Sequence, residues 1–345
     1  MSSTPVLVTG GSGFIAGHCI LQLLAQGHTV RATLRSLTQG NAVRAALERS
    51  GLTHGERLTF VAADLMSDAG WAEAVEGVDI VLHVASPVQP GHVADENDLI
   101  RPAREGTLRV LRAARDAGVK RVVLTSAFHA VSWGWPRGDH TFTEDDWTIL
   151  DGPGVDAYGR SKTLAERAAW DFIAAEGGGM TLVTMLPVAV MGPIMGTAIS
   201  GSNHLVQRLL EGAMPGLPNL FIPIVDVRDV ASAHLLAMTA PEAGGKRFLL
   251  SNGQALAMTE IAARLRAADL GDRATRVPTR RIPDLVLRVM SLFRAELRSV
   301  VHDLGRAKRT SNARAAALLG WHPRPADEAI VAAARSMVAG GVLKS

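Results

Sequence analysis

Short apolar runs and longer amphipathic stretches alternate through the first two-thirds of the chain. Residues 5–9, 28–34, 58–62, 80–84, 121–125 and 181–186 are strand-like, rich in Val, Ile, Leu and Thr, without the in–out alternation of a half-exposed sheet. Helical periodicity marks 14–26, 42–48, 105–117 and 158–176. Apolar strands that are each followed by a crossover helix predict an α/β fold, a doubly wound parallel sheet covered on both faces. After Pro187 the texture changes, because prolines at 193, 215, 218 and 223 and several glycines cut the pattern into short pieces. Helical patterns return at 204–211, 227–239, 259–268 and 326–339. The expected organisation is a nucleotide-binding domain over 1–186. A smaller substrate lobe should occupy most of 187–345, partly threaded back into the first domain.

Composition narrows the classes. The 345 residues include 36 basic and 33 acidic side chains, a net charge of +3, with no basic run interleaved with aromatics, so nucleic acid is not an expected partner. No apolar segment approaches the ~20 residues of a membrane span. The first four residues lead straight into a strand, so no signal sequence and a cytoplasmic location are expected. A single cysteine, Cys19, excludes an internal disulfide and should be a buried thiol. The 11 histidines show no ligand spacing, and no metal site is expected; His83, mid-strand, reads as a core histidine.

The candidate chemistry begins at the first strand–helix junction. Gly10, Gly13 and Ala16 stand at three-residue spacing, the first allowing a tight turn and the second letting the backbone approach a pyrophosphate. The small third residue lets the helix pack close, and the free N–H groups of its first turn can bind the anion. This predicts a Rossmann-type dinucleotide site. Between Gly13 and Glu48 there is no acidic residue to hold ribose hydroxyls, and Arg35 stands where the second strand ends. A guanidinium there suits a 2′-phosphate, which favours NADP(H) over NAD; an ordinary solvated arginine is the alternative. Asp64 and Leu65, after the third strand, could face the adenine, or Asp64 could simply cap the next helix.

Tyr158 and Lys162 fall one helical turn apart, and Tyr158 is the only tyrosine. An ammonium beside a phenol should lower its pKa and make it a usable proton donor to a carbonyl oxygen. Lys162 could also hold a ribose. Trp133 and Trp135 could wall an apolar pocket or simply pack beneath their loop. Met191, Met195 and Met214 could cover it or fill the core, and Asp226 and Asp229, around Arg228, should orient the loop before the next helix.

These motifs together resemble the extended short-chain dehydrogenases/reductases. The stretches TGGSGFIA, LHVASP (82–87), VVLTS (122–126), YxxxK (158–162) and LPVAVMGP (186–193) carry the resemblance. FTEDDW (142–147), SKTLAERAAWDF (161–172), VDVRDVASAH (225–234) and LGWHPRPADEAI (319–330) point to the dihydroflavonol 4-reductase-like branch of aldehyde and ketone reductases. The resemblance implies NADPH across the carboxyl ends of the strands, touching Phe14, Ile15, Arg35, Asp64, Leu65, Ala85, Ser86, Thr125, Tyr158, Lys162, Pro187 and Val190. It further implies carbonyl reduction; the expected partner is a small, apolar or aromatic carbonyl compound, and the expected assembly a monomer or homodimer. Such enzymes have Thr-Ser-Ser after the fifth strand, the second serine binding the carbonyl. Here the run is Thr125-Ser126-Ala127. Ser126, a water or His129 is left to supply that donor, and Ser126 joins Tyr158 and Lys162 as the expected catalytic set. Two other readings use the same fold: a nucleotide-sugar epimerase or dehydratase, and an NADP(H)-binding sensor without turnover. The first is disfavoured by residues 192–224, which hold one arginine, Arg208.

Overall fold

The computed structural model describes residues 4–87, 95–294 and 297–344, the side chain of residue 299 excepted. Residues 1–3 of the lead-in lie outside this set. Seven strands form the central sheet: β1 (Val6–Val8), β2 (Val30–Leu34), β3 (Leu58–Ala62), β4 (Ile80–His83), β5 (Arg121–Thr125), β6 (Thr181–Pro187) and β7 (Arg247–Leu250). Their order is β7-β6-β5-β4-β1-β2-β3 and every neighbouring pair is parallel. The order reverses between β1 and β4, which opens a crevice at the carboxyl ends of those strands, the place where open α/β sheets bind ligands.

Helices α1 (Phe14–Ala25), α2 (Gly40–Arg49), α3 (Trp71–Val75), α4 (Asn97–Asp116) and α5 (Ala157–Glu176) follow in chain order. They are joined by α6 (Asn203–Leu210), α7 (Val227–Thr239) and α8 (Met258–Ala267). On one face α4 packs against α5, and the core there includes Val81, Val122, Leu124, Leu111 and Phe172. On the other α1 packs against α7, over Val123, Val183, Leu23 and Val230. Successive strand residues therefore enter opposite cores, the reason these strands lack alternation. Ile20, Leu23 and Leu24 of α1 are fully buried, each worth roughly 1.5–3 kcal/mol against exposure. Cys19 beside them is buried too, and burial pushes its thiol up to about 12.

Helix α4 begins at Asn97, well before the expected position 105. Pro102 lies inside it and removes one backbone donor, but Leu99 and Ala103 are buried and hold the first turns to the core. After Met191 the chain builds a third core from Met191, Val206, Leu209, Ile261, Leu265 and Ala333, joining α6, α8 and the helix Ala326–Ala339. Met191 is thus a core residue; Met214 packs against the same cluster, and Met195 against the core between α1 and α7. Strand β7 and helix α7 return to the central sheet from this half of the chain. Asp226 caps α7, accepting from the Arg228 amide at 2.8 Å, and Asp229 accepts from the Arg324 amide at 2.8 Å, so both order this junction as expected. Among the described residues no helix is long and apolar enough to cross a membrane, and no group of His, Cys, Asp and Glu could hold a metal ion.

Candidate active site

The turn after β1 is shaped by what surrounds it. Gly10 has φ +70°, donates its amide to Thr33 Oγ1 at 2.9 Å, and a Cβ there would meet the Ala85 Cβ at 3.0 Å. Only glycine fits both the backbone and the space. Gly13 heads α1 with no side-chain cap and no acidic residue in the first turn, so the amides ahead of Phe14 and Ile15 remain available to an anion. Arg35 follows β2 directly, is exposed, and makes no ion pair or hydrogen bond among the described residues. An open glycine cradle, an uncapped helix start and a free guanidinium fit a dinucleotide carrying a 2′-phosphate.

The opposite wall comes from β4. Thr9 bonds His83 Nδ1 at 2.8 Å and accepts from the Ala85 amide at 3.0 Å, fixing the chain as it leaves the sheet toward Ser86. His83 is a core histidine only half satisfied, since its Nε2 finds no partner; burial and Lys162 push it down to about 3. Asp64 Oδ1 accepts from the Met66 amide at 2.9 Å, closing a turn ahead of α3 rather than capping a helix. Leu65 is half-buried, and its carbonyl accepts from Arg109. Pro187 ends β6 beside Leu250, and Val190 lies in the short strand Ala189–Met191.

Asp156 sets the start of α5, accepting from the Gly159 amide at 2.7 Å. One turn on, Lys162 is buried and donates to Ser86 Oγ at 3.0 Å, while its ammonium lies 5.8 Å from the centre of the Tyr158 ring. Burial lowers Lys162 to about 8, opposed by Glu166. The expected lowering of Tyr158 is not found. Burial, helped by the Asp156 charge, raises the phenol to about 12, and the Lys162 ammonium bonds Ser86 instead of the phenol. Tyr158 therefore holds its proton throughout the neutral range.

The end of β5 departs furthest from expectation. Thr125 Oγ1 pairs with His234 Nε2 at 2.8 Å. Ser126 is buried and donates to Glu166 Oε2 at 2.7 Å. Glu166, fully buried on α5, also accepts from Thr184 at 2.8 Å and from Arg247 Nε at 2.8 Å, so it ties β5, β6 and β7 to one helix. Ala127 carries no hydroxyl. Beyond it, the His129 ring stacks on Trp133 at 3.8 Å between centroids and meets Tyr158 edge-on at 4.8 Å. Lys308 lies over the Trp133 ring at 3.6 Å. Trp133 thus borders the site, whereas Trp135 stacks on His140 at 4.6 Å and bonds the Trp147 carbonyl. Sequence reasoning missed Glu166 and Lys308. The spacing of Glu166 four residues after Lys162 was a usable signal; nothing in sequence places Lys308 beside Trp133.

A family model for the NAD dependent epimerase/dehydratase family matches residues 6–250. The chain belongs to that family. Among curated members it is 37% identical over 249 residues to cinnamoyl-CoA reductase 1 of Petunia hybrida, covering 71% of this chain and 72% of that one. It is 35% identical over 260 residues to a putative anthocyanidin reductase of Ginkgo biloba, covering 71% and 75%. The structure of yeast methylglyoxal/isovaleraldehyde reductase complexed with NADPH superposes with a TM-score of 0.79 at 27% identity, over 98% of this chain and 100% of that one. These relatives agree with the dihydroflavonol 4-reductase-like branch within this family of extended short-chain dehydrogenases/reductases.

Proposed function

We propose that the protein reduces an aldehyde or ketone to the alcohol with NADPH, by reversible hydride transfer. The observation that carries this reading is the Tyr158–Lys162 pair on α5, the tyrosine half-buried and the lysine buried, set by the Lys162–Ser86 bond at the crevice between β1 and β4. Gly10, Gly13, Phe14, Ile15 and Arg35 would hold the pyrophosphate and 2′-phosphate, and Lys162 and Ser86 the nicotinamide ribose. Bound NADPH supplies the hydride that reduces the carbonyl carbon. Tyr158 gives its proton to the carbonyl oxygen as the C=O bond becomes CH–OH, and in reverse takes it back. Its raised pKa keeps the proton in place at pH 7. Ser126, whose hydroxyl already serves Glu166, acts by positioning β5 against α5.

The lobe after Pro187 is the proposed substrate wall. With one arginine between 192 and 224 it suits an uncharged, apolar or aromatic carbonyl compound better than a sugar diphosphate. The test is incubation with NADPH and a panel of aromatic and aliphatic aldehydes, ketones and ketoesters, following nicotinamide absorbance. Oxidation with aromatic members is expected; none with any member would end this reading.

A further inference from the structure

A carbonyl oxygen has two acceptor sites, and Tyr158 can fill only one. The second hydrogen bond matters, because donors aimed at an oxygen that gains charge are among the strongest contributors to catalysis. The hydroxyls near the end of β5 are spoken for or out of reach. Thr125 is paired with His234, Ser126 with Glu166, and Ser132 is fully buried beneath the loop. Ala127 has none to offer.

We propose that the imidazole N–H of His129 is the second donor to the substrate's carbonyl oxygen. This rests on the carbonyl-reduction reading above. The ring is held on two sides, stacked 20° from parallel on Trp133 and 78° across the Tyr158 ring, so it borders the proton donor in a fixed plane. Trp133 is itself fixed from its far face by Lys308, which bonds Asp303 at 3.1 Å. Among the described residues no group bonds either ring nitrogen of His129, and the residue is only half-buried, so a ligand can reach them. Burial, with the ammonium groups of Lys308 and Lys162, pushes His129 down to about 3. The ring is therefore neutral in use, with one N–H to donate and a tautomer free to suit the ligand.

The test compares His129→Phe, Ala127→Ser and the double variant as NADP(H)-loaded enzymes. His129→Phe keeps the aromatic stack and removes both nitrogens. It should lower kcat by roughly 10²-fold, as for loss of one such donor, with NADPH Kd within about twofold. The Kd of a non-reducible aromatic carboxamide, measured with the NADP-loaded protein, should rise about two- to tenfold. Adding Ala127→Ser places a hydroxyl at the neighbouring position and should restore at least about tenfold of the lost kcat, a rescue that a merely structural role would not allow. Where Phe is not tolerated, His129→Ala takes its place in the same comparison. Near-normal kcat in His129→Phe, or a loss that Ala127→Ser leaves untouched, overturns the proposal while the reductase reading stands. A wild-type protein that oxidises no NADPH overturns both.

Discussion

At the scale of single residues, burial outweighs proximity. Tyr158 and Lys162 were legible from their spacing, but their pKa relation was not. Spacing places two side chains on one helix face, yet it cannot show that the ammonium bonds Ser86 rather than the phenol hydroxyl. Tyr158→Phe removes the proton while keeping the ring against His129. Turnover should fall by about 10²–10⁴-fold with NADPH affinity nearly unchanged; a variant retaining more than a tenth of wild-type kcat would assign the proton to another group. Arg35 poses a cleaner electrostatic question, because no partner competes for it. Arg35→Asp should raise the NADPH Kd by on the order of 10–10²-fold at low salt and leave NADH almost unaffected, an effect that shrinks as salt screens the exposed site. Equal changes for both cofactors would show that Arg35 does not read the phosphate.

Elements were read best where their pattern is long. Strands β2, β3 and β5 and helices α1, α5 and α7 fall within two residues of the expected bounds. The seventh strand was missed, and Arg247 explains why. A four-residue run that starts with arginine reads as a surface turn, yet here the guanidinium is buried, bonds Glu166 twice at 2.8 and 3.2 Å, and lies 3.7 Å from the Trp147 ring centre. The partner that makes this strand possible is 81 residues away, beyond any local pattern. Helix α5 is consequently anchored to the sheet by charge as well as by Ala169 and Phe172. Glu166→Gln should leave a buried guanidinium without its counter-ion and cost about 3–5 kcal/mol in urea unfolding at pH 7. The pair replaced together, Glu166→Leu with Arg247→Met, should recover much of that loss. A Glu166→Gln protein within 1 kcal/mol of wild type by the same measurement would mean that the charge pair is not what ties α5 to β7.

Across the whole molecule, the fold class and the first domain's crevice followed from the alternation of apolar strands and helices. The later half was legible in its main helices at 203–210, 227–239, 258–267 and 326–339, but not in their packing, since two-residue strands leave no period to read. Its return to the central sheet nevertheless buries polar groups, and that burial has a consequence for pH. Four histidines are held neutral: His18 at about 4, beneath Pro193; His83 at about 3; His129 at about 3; and His234 at about 4, bonded to Thr125 and to the Val230 carbonyl. Desolvation by burial is the first cause in each. An unfolded histidine takes up a proton near 6.5, whereas these do so only near 3–4 in the folded chain. Between those values the unfolded state binds more protons, so stability falls as pH falls. With all four acting, the slope would reach about 5 kcal/mol per pH unit at its steepest. Glu144 and Asp229, whose carboxyls are raised by burial, bind protons earlier in the folded state and offset part of it. Urea unfolding at intervals from pH 8 to 5 should therefore show a plateau above about 7 and a steep loss below 6.5. The slope should correspond to uptake of two to four protons. Mutating His83 or His234 to Gln should flatten the curve by about one proton each. A profile that stays flat to pH 5 would mean that these imidazoles reach water in the folded protein and that the later half does not close over the sheet as described.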